Sequence, residues 1–242
     1  MKTNILFCGD THGRLQHVVA AALRLRPMAV VLLGDIQTPR PLHVELAAIR
    51  GLVWWIRGNH DTDTPADWSN LVESELADRC IDGRVVTLAD GTRLGGLGGV
   101  FRQEVWYPPA PPAHSSYAQW LDSLHAGWRK RPTRYETQRL MHRSSIFHDD
   151  YLRLANERAD ILVTHEAGGS HPYGFDAIDE LAVTMGVHTT FHGHVHDRLD
   201  YSAHWASLGL KAHGVGLRGI SDREGQVVLA GERDEARRGR QR

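Results

Sequence analysis

Seven side chains suited to holding metal ions, Asp10, His12, Asp35, Asn59, His165, His194 and His196, fall in five short motifs, each following an apolar, strand-like run. The motifs are Gly9-Asp10-Thr11-His12, Gly34-Asp35, Gly58-Asn59-His60-Asp61, Thr164-His165 and Gly193-His194-Val195-His196. Asp, Asn and His are the residue types that hold a pair of hard or borderline ions. In an extended segment positions i and i+2 point the same way, so Asp10 with His12, and His194 with His196, can each reach one ion. Asp35 offers a carboxylate whose two oxygens can bridge two ions. Asn59 offers an amide oxygen that adds no charge, and His165 offers imidazole. Alone, each motif has a plainer meaning. Gly34-Asp35 reads as a turn with a capping Asp, and Gly58-Asn59-His60-Asp61 as a loop of turn-forming residues. Five in one order describe a site.

These motifs need strand ends to carry them. Asn4 to Cys8, Met28 to Leu33 and Val53 to Ile56 read as buried strands, each closed by glycine. Leu15 to Leu25 and Leu42 to Ile49 read as the helices between them, so the chain opens with βαβ units and a largely parallel sheet. Trp68 to Ala77 reads as a further helix. Arg84 to Leu88 and Thr92 to Leu97 flank Asp90-Gly91, a hairpin signal. Gly95, Gly96, Gly98 and Gly99 read as close backbone approach at the sheet edge. From Phe101 to Glu157 the composition changes: a proline-rich run, Tyr107 to Pro112, precedes two helical stretches, the second from about Thr133 to Glu157. Strands resume at Asp160 to Thr164, His188 to Phe191, Lys211 to Leu217 and Gln226 to Leu229, with a helix over Phe175 to Met185. The expected organisation is one domain over 1–230 with a helical insertion over about 102–158, and a frayed charged tail over 231–242. In open α/β sheets ligands sit beyond the carboxyl ends of the strands, so the motifs can converge although they span most of the chain.

Composition narrows the class. Hydrophobic residues are 41% and charged residues 24%, as in globular domains, and the net charge of -1 favours neither a nucleic-acid binder nor a membrane-surface protein. Cys8 and Cys80 form no disulfide framework or zinc spacing, which fits a reducing cytoplasm. The first strand starts too early for a cleaved leader, and no apolar run reaches the roughly 20 residues of a membrane span.

The set of motifs resembles the calcineurin-like metallophosphoesterase superfamily, whose pattern is Asp-x-His, Gly-Asp, Gly-Asn-His-Asp/Glu, His, then Gly-His-x-His. All five blocks match, from Asp10 to His196. The resemblance implies a four-layer α/β/β/α sandwich with central mixed sheets. It implies that Asp10, His12 and His196 hold one metal, that Asn59, His165 and His194 hold a second, and that Asp35 bridges both. Mn or Fe are the foremost candidates, with Zn, Ni or Co as alternatives. His60 would be the catalytic histidine. Such a centre hydrolyses phosphoesters: hydroxide shared by the ions attacks phosphorus in line, and a protonated His60 assists the leaving oxygen.

The chain departs from the phosphoprotein phosphatase branch of that superfamily. There Gly-Asp is followed by x-x-Asp-Arg-Gly, which would place the histidine's partner at Thr38 and an arginine at Pro39. The branch also has Gly-Asn-His-Glu and His-Gly-Gly, where this chain has Asp61 and His165-Glu166-Ala167. The expected substrate is therefore not a phosphoprotein but a small molecule or nucleotide, with diesters preferred. A phosphomonoesterase or a nuclease on the same site is the alternative. Asp61 and Asp63 are the two candidates to orient His60. A non-catalytic scaffold on this fold, like the retromer subunit the family also resembles, would have lost ligands that are all present here.

Trp54 and Trp55 read as core, and His192 as structural. Trp106, Tyr107, Trp120 and Trp128 read as a small core under the insertion, with an aromatic wall over a flat leaving group as the rival. Arg129-Lys130-Arg131 with Arg134 reads as a solvated face or a phosphate-contacting lid. Arg102, Arg131 and Arg218 are the candidate substrate contacts.

Overall fold

The computed structural model describes residues 5–124 and 131–234. Asn4, Trp128, Arg129, Lys130 and the charged residues beyond Asp234 lie outside the described residues.

Strands β1 (Ile5–Cys8), β2 (Ala29–Leu33) and β3 (Val53–Ile56) run parallel, and β9 (Ile220–Ser221) and β10 (Val227–Leu229) extend that sheet antiparallel, in the order β10-β9-β1-β2-β3. The second sheet is β4-β5-β6-β7-β8, from β4 (Arg84–Thr87), β5 (Arg93–Leu97), β6 (Ile161–Thr164), β7 (Thr189–His192) and β8 (Lys211–Gly214); only the β4–β5 pair is antiparallel.

Side-chain alternation along the strands builds the layers. Ile5 and Phe7 point between the sheets with Val31, Leu33, Val163 and Phe191. The Phe7 and Phe191 rings stack across the gap at 3.8 Å. Leu6 and Cys8 point outward onto helix α1 (Gln16–Leu25), meeting Val18 and Ala22, with Leu42 of α2 (Leu42–Glu45) in the same cluster. The outer face of the second sheet packs Leu162 and Ala212 on Ile178, Leu181 and Ala182 of α7 (Asp176–Met185). The result is the four-layer α/β/β/α sandwich. Trp106, Trp120, Ile146, Phe147 and Leu154 join that outer cluster. They come from the segment containing α4 (Tyr117–Ser123), α5 (Pro132–Met141) and α6 (His148–Ala155).

Five details differ from the sequence reading. The helix expected from Thr133 to Glu157 breaks between α5 and α6. There Val100 donates to Ser144 O and accepts from Ile146 N, and the extended segment sinks Ile146 and Phe147 into the core. The helix expected from Leu42 to Ile49 ends at Glu45 and continues as a 3-10 helix over Ala47–Leu52, which contains Gly51. Helix α3 (Pro65–Val72) starts ahead of the expected Trp68 because Thr64 and Asp67 form a reciprocal capping box before Pro65. Helix α8 (Ser202–Leu208) and strand β9 carried too little periodicity to be anticipated. Residues 231–234 are not frayed: Glu232 N donates to Leu217 O, and Asp234 is buried with Oδ2 accepting from Gly231 N at 2.8 Å.

Candidate metal centre

The loops after β1, β2, β3, β6 and β7 meet at one edge and are bound to each other. His12 N donates to Asp35 O at 2.9 Å and Gly13 N to Ile36 O at 2.8 Å. Asp61 accepts from Ile36 N, Gln37 N and Gly58 N at 2.7, 2.9 and 2.8 Å, tying the second loop to the third. Across the sheets, His194 N donates to Asp10 Oδ1 at 2.9 Å, and His165 Nδ1 donates to Leu33 O at 2.7 Å. Gly34 and Gly58 permit this closeness. A Cβ on Gly34 would lie 2.6 Å from Gly58 N, and one on Gly58 would collide with the Asp35 carboxylate.

The backbone at Asp10, His12, His194 and His196 is not extended, contrary to the spacing-based expectation. Asp10, His12, Asp35, Gln37, His194 and His196 all have positive φ, between 36° and 68°. Non-glycine residues rarely take this conformation, and it gathers at sites whose surroundings hold it in place. Asp10 and His12 still converge on one group of donors, whereas His194 and His196 part, one to each group, so that pair does not reach a single ion.

The donors form two groups that share Asp35. Ligand atoms of Asp10, His12, Asp35 and His196 lie within 4.8 Å of one another, and so do those of Asp35, His165 and His194. Asn59 Oδ1 lies 3.1 Å from His165 Nε2. Asp10, Asp35 and His165 are buried. Asp35 Oδ1 accepts from His60 N at 2.8 Å, while its buried Oδ2 has no hydrogen-bond partner. An orphaned carboxylate oxygen facing imidazoles is what a cation site leaves when its protein donors are counted alone. The residues therefore fit two divalent cations.

Protonation follows from the packing. Burial, with the nearby charges of His165 and of His12 and Arg233, lowers the pKa of His194 to about 3 and of His196 to about 4, leaving the neutral imidazoles that metals need. Burial works against charge on His165, but Asp35 and Asp10 outweigh it and raise its pKa. Partial burial likewise opposes protonation of His60, and the hydrogen bond to Asp63 with the charge of Asp35 overcomes it, holding its pKa above the ordinary value.

His60 Nδ1 lies 2.6 Å from Asp63 Oδ2, so Asp63 is the orienting group and Asp61 the scaffold. Three neighbours escaped the sequence reading. Gln37 Oε1 lies 2.6 Å from His12 Nδ1. Glu166 Oε2 lies 3.8 Å from His194 Nε2. Arg233 Nη1 lies 3.3 Å from His196 Nδ1. Glu166 follows a donor directly, which was a signal; Gln37 and Arg233 carried none. Of the three candidate arginines, Arg102 lines a cavity of about 420 Å³ with Asn59 and His194. Arg218 pairs with Glu232 and donates to Thr11 O at the rim. Arg131 stands exposed at the start of α5 and is not among the residues that line that cavity. His192 is structural, with Nε2 3.0 Å from Tyr201 OH. Trp55 is core, and its Nε1 donates to Leu76 O. Trp106 and Trp120 are core as well, whereas Tyr107 is exposed.

Among known proteins, an uncharacterized Haemophilus influenzae protein is 36% identical over 233 residues, covering 93% of this chain and 96% of its own. The solved structure of TT1561 from Thermus thermophilus aligns at a TM-score of 0.53 with 14% identity, over 95% of this chain and 98% of that one. A dimetal phosphatase from Danio rerio aligns at 0.50 with 13% identity, over 95% and 93%. Residues 3–198 match the calcineurin-like phosphoesterase family, all five donor motifs included. The chain belongs to the calcineurin-like phosphoesterase family, as a metal-dependent phosphohydrolase.

Proposed function

We propose that the protein is a dinuclear phosphodiester hydrolase acting on a small-molecule or nucleotide ester with Mn or Fe. Asp10, His12 and His196 hold one ion, Asn59, His165 and His194 the other, and Asp35 both. The observation that carries this reading is Asp35, whose carboxylate belongs to both donor groups and keeps one buried oxygen unpartnered. The ions supply Lewis acidity that activates water and offsets phosphoryl charge. His60, 5.5 Å from His12 between ring centroids and anchored through Nδ1, has Nε2 left to donate a proton to the leaving oxygen. Arg102 has no carboxylate within ion-pair distance among the described residues, and is the guanidinium best situated for a phosphoryl oxygen.

Space beside Asn59, next to His60 in the chain, and beside Asp63, its hydrogen-bond partner, supports a diester over a monoester. The cavity of about 420 Å³ opens beside Asn59 and His194, and a groove of about 730 Å³ begins at Asp63 and runs past Trp68, Tyr117 and Arg143. A phosphoryl group with two substituents uses both. Residues 1–230 act as one domain, with 102–158 an insertion packed on the second sheet. The free thiols Cys8 and Cys80 suit the cytoplasm. No helix among the described residues is long and apolar enough to cross a membrane.

The test is a Mn²⁺-supplemented screen of monoesters, diesters and nucleic acids, with metal content measured alongside. Wild type should hold two ions and turn over diesters fastest. Asp35→Asn should weaken both ions together. One ion at saturation, or an Asp35→Asn protein that keeps both, overturns the dinuclear reading.

A further inference from the structure

Tyr107 and Tyr173 are 45% and 74% exposed, and no other Phe, Tyr or Trp among the described residues is exposed. Both line one cavity, the space of about 420 Å³ that also carries Asn59 and His194. Folding covers aromatic rings wherever packing allows, because each buries a large apolar area. Two uncovered rings scattered over a surface would need no explanation. Two that line one cavity with two of the candidate donors do.

The rings are presented by built loops. Trp106, next to Tyr107, is buried, and its Nε1 donates to Ala110 O at 3.1 Å. The Tyr107 ring meets Phe175 edge-on at 5.2 Å, and Phe175 meets Phe101 at 4.6 Å. Opposite in the chain, the 168–175 loop closes on itself: Phe175 N donates to Ala167 O, Gly174 N to His171 O, and Tyr173 N to His171 Nδ1. Gly174 lies so close to Gly168 O that a side chain there would collide. Met141 completes the apolar lining, and Arg102 and Glu166 supply polar groups.

We propose that this cavity binds a planar aromatic ring of the phosphoester, with the base of a nucleoside as its natural form, against Tyr107, Tyr173 and Phe175. This deepens the phosphoesterase reading and rests on it. The apolar, π-bearing walls favour a flat ring over a sugar or an alkyl chain, since stacking adds to area burial. The ring's identity is left to the polar groups.

Matched esters test this on the full-length, Mn²⁺-loaded protein. Adenosine 5′-phosphate is compared with ribose 5-phosphate, and benzyl phosphate with cyclohexylmethyl phosphate, pairs of primary alkyl esters with similar leaving groups, each also as its methyl ester. The ring-bearing member should be preferred in kcat/KM by on the order of 10-fold, through KM. Replacing both tyrosines by alanine should remove most of that preference, and Tyr→Phe at both positions should restore it. A preference confined to adenosine assigns the site to nucleosides, and one shared by benzyl esters to aryl groups generally; either supports the aromatic cavity. Equal use of ring-bearing and ringless esters, or a preference the double alanine variant keeps, overturns it. Adenosine alone provides a readout free of catalysis. Its binding, followed by tyrosine NMR signals, should be lost in the double alanine variant. If no ester is hydrolysed but adenosine still binds through both tyrosines, the phosphoesterase reading fails and the cavity stands. If esters are hydrolysed and adenosine does not bind, the cavity fails alone.

Discussion

His60 is oriented by Asp63, three residues further along the same 3-10 turn, through a hydrogen bond of 2.6 Å between Nδ1 and Oδ2. The contact fixes the imidazole while leaving Nε2 to the cleft, which is the arrangement a general acid needs. His60→Gln should keep both metals and lose on the order of 10²-fold or more in kcat on esters with poor leaving groups. Asp63→Asn should lose less, about 10-fold, because the ring remains but its protonated form is less favoured. Nitrophenyl esters, whose leaving group needs no proton, should suffer little from either change. Equal losses on good and poor leaving groups would remove His60 from proton transfer.

Asp61, one residue before Thr62 and fully buried, has a different task from Asp63. It accepts three backbone amides from two loops. Asp61→Ala strands those donors, at about 1–3 kcal/mol for each one left unmet. Thermal unfolding should show the largest loss of any carboxylate change near the centre, and both ions should bind more weakly because Asp35 shifts with its loop. Asp63→Asn should leave the unfolding temperature nearly unchanged. Similar stabilities for the two variants would mean that Asp61 is not the scaffold.

Among the buried histidines outside the metal centre that should make the fold acid-sensitive is His142. His142 is 1% exposed, and its Nδ1 lies 2.9 Å from Ser145 Oγ. Burial, with the charge of Arg102, lowers its pKa to about 4, against the opposing charge of Glu104. Between about 6.5 and 4 the unfolded chain binds this proton and the folded chain does not. Stability is therefore whole above about 6.5 and falls as the pH drops toward 4. In metal-free protein, His142→Gln should make the decline of unfolding free energy with acidification shallower by roughly one proton. An unchanged slope in denaturant titrations would show that His142 does not contribute.

The candidate donor set is legible because each donor sits where an apolar run ends, and the strand pattern is the strongest local signal a sequence carries. Val53–Ile56 appears as read, and β1, β2 and β6 begin within one residue of their expected starts. What failed was set by tertiary contact. Ser144 and Ile146 leave a helical pattern to pair with Val100, and nothing local to residues 142–147 announces that bond. Gln37 and Arg233 are ordinary polar residues until the loops bring them to His12 and His196. Pro65 behind Thr64 and ahead of Asp67 is a helix start carried by the sequence itself, three residues before the expected Trp68.

The stretch from Trp106 to Arg153 bears on whether a substrate cover can be separated from the fold. Trp106 and Trp120 are 7% and 4% exposed and share one cluster with Leu162 of the second sheet and Leu181 of α7. Replacing the stretch by a Gly/Ser linker would uncover that face of the sheet, so the shortened chain should not fold. Single changes separate the roles. Trp120→Ala should destabilise by about 3–5 kcal/mol, as large-to-small core changes do, with the two ions still bound in the protein that remains folded. Trp120 packs its ring 4.2 Å from His142, whose segment reaches the centre through Ser144 and Thr62. Its loss should therefore also lower kcat modestly. A Trp120→Ala protein as stable as wild type would show the segment to be a detachable cover, and the linker replacement would then become the informative experiment.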